Sequence, residues 1–539
     1  MIEQADKMTD ARRMSRPSVT DAAAIRGDLE RLSLRGGGIT LGAQSVSLLV
    51  NLAGMVVLAR LLTPDDYGIM GMAALITNFL GLFVSLGLGH AVVQRESLDE
   101  AQLSSLFWLS VAVSVVLGLL VAASGPTVAW FFNEKRLVVL MLVLALHFPL
   151  VGLAVQQRAL LIRRMRFGRI KAIEIVAAVL SLLLAILAAW SGWGYWSLVV
   201  MGLVTHLLSM VFYWCVCDWR PSRPRWAAGT GDLVRFGINL SGSQMLNYFA
   251  RNGDNALIGW AWGPSVLGVY TRAYQLMMAP LQHLNAPLAA VSVPTLSRLV
   301  GEPELYRRTY LRIVGKVLLI TMPLLGFLAV TADLVIRVLL GPRWGDVVPV
   351  FSWLVVAALY QPLANSTGWL WISQDRTGEL FRWAIMSVPM TVLAFVIGLP
   401  FGAVGVAAAY ALLGAVVQVP LALWFVGRRG PVRTMDLVRL LVGYGWLAVA
   451  TAGSVWCVRS LWTGYGVLAE LAVLGTVALA AALLAGWVMP MTRDGLRDAA
   501  VVLRKMIKAC HQAPKHTPSA SACDAGQKGE VPSDSGGDA

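Results

Sequence analysis

Ionisable side chains are scarce in this sequence. Asp, Glu, Lys and Arg make up 14% of its 539 residues, against roughly 25% in soluble globular chains. Hydrophobic residues make up 57% and the mean hydropathy is +0.67, which excludes a soluble fold. Cysteine is sparse: Cys215, Cys217, Cys457, Cys510 and Cys523. Cys-Val-Cys is not a metal-ligand spacing and has no neighbouring His, so neither a disulfide framework nor a metal is expected. His90, His147, His206 and His283 are dispersed without ligand spacing and read as packing or interfacial residues. A Walker A pattern, an HExxH pattern and a GxSxG at a strand-to-helix turn are all missing, which argues against ATP hydrolysis and the corresponding hydrolases. No cleavable signal is visible, because the polar first ~35 residues lead into no short apolar core; they read as a cytoplasmic tail.

What is present is a succession of apolar runs. A membrane-spanning helix needs about 20 mostly apolar residues. About fourteen candidates fall near 38–60, 68–90, 103–124, 137–157, 173–190, 194–216, 236–262, 266–293, 313–331, 347–370, 382–399, 402–426, 437–458 and 466–489. The expected fold class is an all-α polytopic membrane protein.

The stretch from Arg235 to Arg272 organises the rest. Gln244, Asn247, Arg251 and Asp254 recur at helical spacing on one face of an otherwise apolar segment. Polar groups at bilayer depth are costly and usually face a bundle interior or a wet cavity. The same pattern stands 200 residues earlier. Arg35, Gly37, Gly42, Gln44, Pro64, Gly68 and Ala73 match Arg235, Gly237, Gly242, Gln244, Pro264, Gly268 and Ala273 without a gap, and Gln44, Ser47 and Asn51 repeat the polar face. Further on, Arg166-Phe-Gly168 resembles Arg376-Thr-Gly378 at an offset of 210. The repeat predicts two six-helix lobes of parallel topology, 36–220 and 235–428, joined by a linker at 221–234. An extra hairpin at 429–490 follows, and the chain is bracketed by tails at 1–35 and 491–539, the second partly disordered. Parallel repeats place a substrate path between the lobes.

The net charge of +14 suits topology signals and anionic lipid contacts better than nucleic acid. Basic residues crowd the loops after the fourth, sixth, eighth and twelfth segments, for example Arg158, Arg163, Arg164, Arg166, Arg169 and Lys171. Both termini are therefore expected in the cytoplasm. The loop Gln94–Gln102 dissents, with Arg95 against Glu96, Asp99 and Glu100, but acids count little in this rule.

Asp254 shares a helical face with Arg251, close enough to pair. Two readings stay open: a neutralised pair that only stabilises the bundle, or a cation for an anionic headgroup beside a carboxylate that takes a coupling ion. Arg60, Asn78, Arg272, Gln275, Gln361 and Asn365 join Gln44 and Asn51 as candidate substrate contacts. Arginine suits bidentate phosphate binding, although Arg60 and Arg272 could equally snorkel to the interface. Glu174 sits beside the basic 158–171 loop and reads as a headgroup-level ion pair. Pro64, Pro149, Pro264 and Pro362, with the spaced set Pro280, Pro287 and Pro294, mark kinks or helix ends.

Several motifs carry a family resemblance. They are Ala59-Arg-Leu-Leu-Thr-Pro-Asp-Asp-Tyr-Gly68, Gln102-Leu-Ser-Ser-Leu-Phe-Trp108, Arg164-Met-Arg-Phe167, Asp254-Asn-Ala-Leu-Ile-Gly259, Leu267-Gly-Val-Tyr-Thr-Arg-Ala-Tyr274, Pro294-Thr-Leu-Ser-Arg298, Leu340-Gly-Pro-Arg-Trp344 and Gln361-Pro-Leu-Ala-Asn-Ser-Thr-Gly368. In order over about 36–430, they resemble the Wzx-type polysaccharide flippases, in their WzxC-like, colanic-acid branch. This branch lies within the multidrug/oligosaccharidyl-lipid/polysaccharide exporter superfamily. The resemblance implies two lobes around a cationic cavity and an undecaprenyl-diphosphate-linked oligosaccharide as substrate. It implies alternating access driven by an ion gradient, H+ or Na+, with no bound cofactor. It implies the bacterial inner membrane, with membrane lipids, a polysaccharide polymerase and chain-length or export proteins as partners. Asp254 and Arg272 lie in its recurrent motifs; Asn247 and Arg251 rest on the helical face alone. A multidrug exporter of the same superfamily would want an acidic cavity. A polymerase or ligase would want a large periplasmic loop, and the non-cytoplasmic loops here are short.

Overall fold

The computed structural model describes residues 42–84, 92, 99–223, 230–461 and 466–497, apart from the side chains of 230–247, 249–251 and 283–290. The predicted amino-terminal tail, residues 224–229 of the predicted 221–234 linker and the tail beyond 497 lie outside the described residues, while 230–234 of that linker are already helical.

Among the described residues, every predicted apolar segment overlaps a helix; the predicted 68–90 segment leaves its helix after Gly81, and 85–90 lie outside the described residues. The helices begin with α1 (Gly42–Leu61), α2 (Pro64–Gly81), α3 (Glu100–Phe132), α4 (Arg136–Arg163), α5 (Phe167–Trp190) and α6 (Trp196–Val216). The long helical run Thr230–Ser297 is divided at Gly263 into α7 (230–262) and α8 (264–297). There follow α9 (Pro303–Leu339), α10 (Val347–Ser373), α11 (Thr377–Gly398), α12 (402–427), α13 (Thr434–Leu461) and α14 (Val467–Val488). Ten of the described helical stretches are long and apolar enough to cross a bilayer. The protein is an all-α, multi-pass membrane protein.

Several elements depart from the hydropathy reading. α5, α9 and α11 start earlier than their apolar runs because their first turns carry charges such as Arg169, Arg307 and Glu379, which hydropathy alone counts as loop. α4 is broken at Ala145–Leu146, since Pro149 has no N–H to offer the Ala145 carbonyl. α12 carries a π-turn at Gly414–Gln418, a local insertion that bends a helix.

The internal repeat is written in the backbone. Thr63 caps α2 with a reciprocal Thr63–Asp66 capping box and Pro64 in its first turn. The corresponding break before α8 is Gly263, with φ +78, followed by Pro264. At the later offset, Met165 and Asp375 both adopt left-handed φ, +55 and +56, immediately before α5 and α11. Gly192 and Gly402 do the same, at +81 and +68, in the turns after those helices.

Helices of the first and second repeats meet along α2 and α8. The main apolar core lies around this crossing, with Tyr67, Ile69, Met72, Leu267, Tyr270 and Met277 in it. A second core joins α9, α10, α12 and α13. The α13–α14 hairpin is fastened to α9: the Gly326 position lies against the Ala448 carbonyl, and Arg459 bridges Asp333 and Glu470.

Candidate functional site

A cavity of about 440 Å³ opens between α1, α5, α6 and α8. Asn51 and Met55 line it from α1, Ser181 from α5, Thr205 from α6, and Arg272 and Gln275 from α8, with Tyr67 at the start of α2. Thr205 donates to Ser181 Oγ at 2.7 Å, tying α6 to α5 on the wall. Arg272 is the one charged residue in that lining. Its guanidinium Cζ lies 3.5 Å from the centre of the Tyr67 ring, the stacking that suits a planar cation. Arg272 Nε–H and the Tyr67 hydroxyl are both buried without a hydrogen-bond partner. Buried donors are seldom left unmade, because each unsatisfied group costs about 1–3 kcal/mol. Two unused donors thus share one cavity lining.

The remaining candidates divide. Arg60 lies away from the cavity: its Nη2 donates to the Val338 carbonyl at 2.6 Å. It works beside Trp344, which is fully buried and donates to the Ala59 carbonyl at 2.7 Å. Together these bonds fasten the end of α1 to the α9–α10 turn. Gln44, Asn78 and Asn365 are exposed and do not line the cavity. The side chains of Gln244, Asn247 and Arg251 lie outside the described residues, and with them the proposed Arg251–Asp254 pair. Glu174 accepts from Lys171 at 2.7 Å and Arg158 at 3.4 Å, the ion pair its position suggested.

Asp254 is buried, with 4% of its surface exposed. One carboxylate oxygen accepts from the Tyr270 hydroxyl at 2.8 Å and the other from the Asn255 N–H at 2.8 Å. Tyr270 stacks near Tyr274. On α10, Gln361 is buried and its Nε2 donates to the Tyr410 hydroxyl at 3.4 Å. The second repeat thus holds a carboxylate among tyrosines and also sends Arg272 into a cavity whose other walls belong to the first repeat.

Sequence reasoning missed Tyr67, Ser181 and Thr205. Small hydroxyl side chains are too common in membrane helices to signal a site. Tyr67 gains its role only because α8 crosses over it.

The fold is that of a polytopic, all-helical membrane protein with a polar cavity between its helices. The structure is similar to lipid II flippase MurJ in an inward closed conformation, with TM-score 0.65 and 12% identity, covering 84% of this chain and 98% of MurJ. It is also similar to an inward-facing multidrug-resistance MATE transporter of the MOP superfamily, with TM-score 0.56 and 18% identity, covering 73% of this chain and 94% of that one. These likenesses carry the fold alone. By sequence, the chain belongs to the polysaccharide biosynthesis protein family, whose pattern matches residues 57–349. It is 26% identical over 337 residues to the teichuronic acid biosynthesis protein TuaB of Bacillus subtilis, covering 62% of this chain and 70% of TuaB. It is 24% identical over 367 residues to the lipopolysaccharide biosynthesis protein WzxC of Escherichia coli, covering 68% and 75%.

Proposed function

We propose that the protein is a flippase that moves undecaprenyl-diphosphate-linked oligosaccharide repeat units across the bacterial inner membrane for exopolysaccharide, capsule or O-antigen synthesis. The observation that carries this reading is Arg272. A single guanidinium with an unused Nε–H, stacked on Tyr67 inside a cavity between helices, is a receptor for a diphosphate. Asn51 and Gln275 offer amide groups to the same space, suited to phosphate or sugar oxygens. The lipid tail would leave sideways between α1 and α8, which the cavity separates. Across the related pair, α7 and α2, the Tyr248 hydroxyl donates to the Leu75 carbonyl at 2.6 Å.

In this reading the protein is not an enzyme. It works by alternating access between two six-helix lobes, 36–220 and 235–428, with both termini cytoplasmic. The reciprocal contacts of α2 and α8 and the paired left-handed turns support the two-lobe division. Transport draws on an H+ or Na+ gradient, and Asp254 is the buried acidic group among the described residues of the second lobe. Polymerase and chain-length or export proteins would act on the delivered glycan. A multidrug exporter is disfavoured, because the cavity lining holds one cation and no acid.

The test is deletion of the gene in its host and complementation with wild type, Arg272→Ala, Asn51→Ala and Gln275→Ala, with membrane levels checked for each. Loss of surface glycan with lipid-linked repeat units accumulating inside, restored by wild type and not by Arg272→Ala, is the expected result. Normal glycan export in the deletion strain, with raised drug sensitivity instead, would replace this reading with an exporter.

A further inference from the structure

Two histidines far apart in sequence meet inside the first repeat. His147 on α4 and His206 on α6 have ring centres 3.8 Å apart, with planes inclined at 49°. His206 Nδ1 lies 2.7 Å from the Gly202 carbonyl. A carbonyl can only accept, so Nδ1 carries the hydrogen and Nε2 keeps its lone pair. His206 directly follows Thr205, which lines the cavity. His147 opens the lower segment of α4 immediately after the Ala145–Leu146 break. There Pro149 withholds its N–H, and the Ala145 carbonyl takes a longer 3.3 Å bond from Phe148 instead.

Two imidazoles in such contact cannot both be charged in a membrane interior. The first proton makes the pair a cation, and the second is repelled by it. Such groups titrate as one unit. Other titratable side chains stand towards the helix ends. α3 carries Glu100 at its start, α4 carries Arg136, Arg158 and Arg163, and α5 carries Arg169, Lys171 and Glu174. α6 adds Tyr213, which donates to Glu174 at 3.5 Å, and Cys215. Across the cavity, α1 and α8 add Arg60 and Arg272. The charge-bearing group that His147 faces among the described residues is His206.

We propose that His147 and His206 form a one-proton binding site in the α4–α6 wall, and that the proton it takes up is a coupling ion for the cavity beside it. What the proton drives rests on the flippase reading; the proton site itself does not. Uptake adds one proton and one positive charge to the pair, with no covalent bond made or broken elsewhere. The charge arises where α4 is least held by its own backbone bonds and one residue from the cavity wall. Protonation is therefore placed to change the packing of α4 against α6.

The full-length protein, labelled with [15N]histidine and held in lipid bilayers, would be titrated by ring-nitrogen magnetic resonance from about pH 5 to about pH 8, the range in which histidine changes charge. One shared protonation, lost from both rings in either His147→Gln or His206→Gln, is expected. Two independent protonations, rings that stay neutral throughout, or stoichiometric capture of added Zn2+ at the pair would overturn the proton site. In the complemented deletion strain, glycan export by wild type should depend on external pH, and export by both folded variants should lose that dependence. Variants that follow pH as wild type does would overturn the coupling while leaving the flippase reading intact. If wild type restores no glycan, the flippase reading falls and the coupling with it, while the titration still decides the proton site.

Discussion

Gly68 and Gly268 occupy one helix crossing from opposite sides. A Cβ on Gly68 would stand 1.7 Å from the Pro264 carbonyl oxygen, and a Cβ on Gly268 would stand 1.8 Å from that of Pro64. Each glycine of the repeat thus meets the proline that begins the other copy's helix. Small residues let membrane helices approach to backbone contact, and here the approach is mutual. Gly68→Ala or Gly268→Ala should cost about 1–3 kcal/mol or more by overpacking against an immobile carbonyl. Gly453→Ala, which meets nothing within 4 Å, should stay within about 0.5 kcal/mol. Thermal unfolding of detergent-purified variants measures both; equal behaviour of the two classes would show that the crossing tolerates a Cβ.

Arg272 should be far more sensitive than its charge alone requires. Arg272→Lys keeps the positive charge but loses the planar fork and the stacking on Tyr67. Export should fall nearly as far as in Arg272→Ala, at normal membrane levels. Tyr67→Phe keeps the ring under the guanidinium and removes the idle hydroxyl. Its folding should be unchanged and its export reduced if the hydroxyl contacts substrate. Surface glycan per unit of membrane protein is the readout.

The Asp254–Tyr270 bond separates stability from transport. Tyr270→Phe leaves a buried carboxylate with one of its two recorded partners, at a cost of about 1–3 kcal/mol. Asp254→Asn can keep its oxygen on the Asn255 N–H and donate its amide N–H to the Tyr270 hydroxyl oxygen, and should unfold near the wild-type temperature. If Asp254→Asn is well folded but no longer exports glycan, the negative charge is functional; retained export would leave Asp254 a structural acceptor.

Outside the membrane-spanning segments, the α3–α4 turn carries a pH-sensitive link. The Arg136 guanidinium donates to Glu134 at 2.7 Å and to Asp65 of α2 at 2.8 Å. Hydrogen bonding from Arg136 holds the Glu134 carboxyl below its ordinary value. A depressed carboxyl stabilises the fold above the unfolded value, roughly pH 4.3. That contribution disappears as pH falls through the lower folded value. Wild type should therefore lose more thermal stability than Glu134→Gln between about pH 6 and about pH 3.5. Parallel losses would show that the pair contributes nothing.

A crosslink across the cavity mouth should stop transport. Asn51→Cys with Gln275→Cys, in a background without Cys215, Cys217, Cys457, Cys510 and Cys523, joins α1 to α8 through two cavity-lining positions. Bifunctional thiol reagents should block glycan export in the double variant and spare each single one. Continued export after complete crosslinking would place the path elsewhere.

Much of the fold was legible because membrane helices announce themselves. Twenty apolar residues must satisfy their backbone within one helix, so hydropathy marks them directly. The gapless repeat was legible for a second reason: Pro64, Pro264, Gly68 and Gly268 are fixed by backbone geometry that few residues can adopt. Less of the site was readable. Asn51, Arg272 and Gln275 do line one cavity, as the polar residues within apolar helices suggested. Arg60 carries the same charge in a similar setting, yet it is spent on the Val338 carbonyl.

The sequence by itself determined the class of molecule, its helices, its internal repeat and its family, because each depends on local composition or on identities along the chain. Only the tertiary structure decided which polar groups share a space. Tyr67 reaches Arg272 because α2 and α8 cross at glycines, and His147 reaches His206 because α4 packs on α6. Contacts of that kind depend on the crossing of helices distant in sequence, which no spacing along the chain encodes.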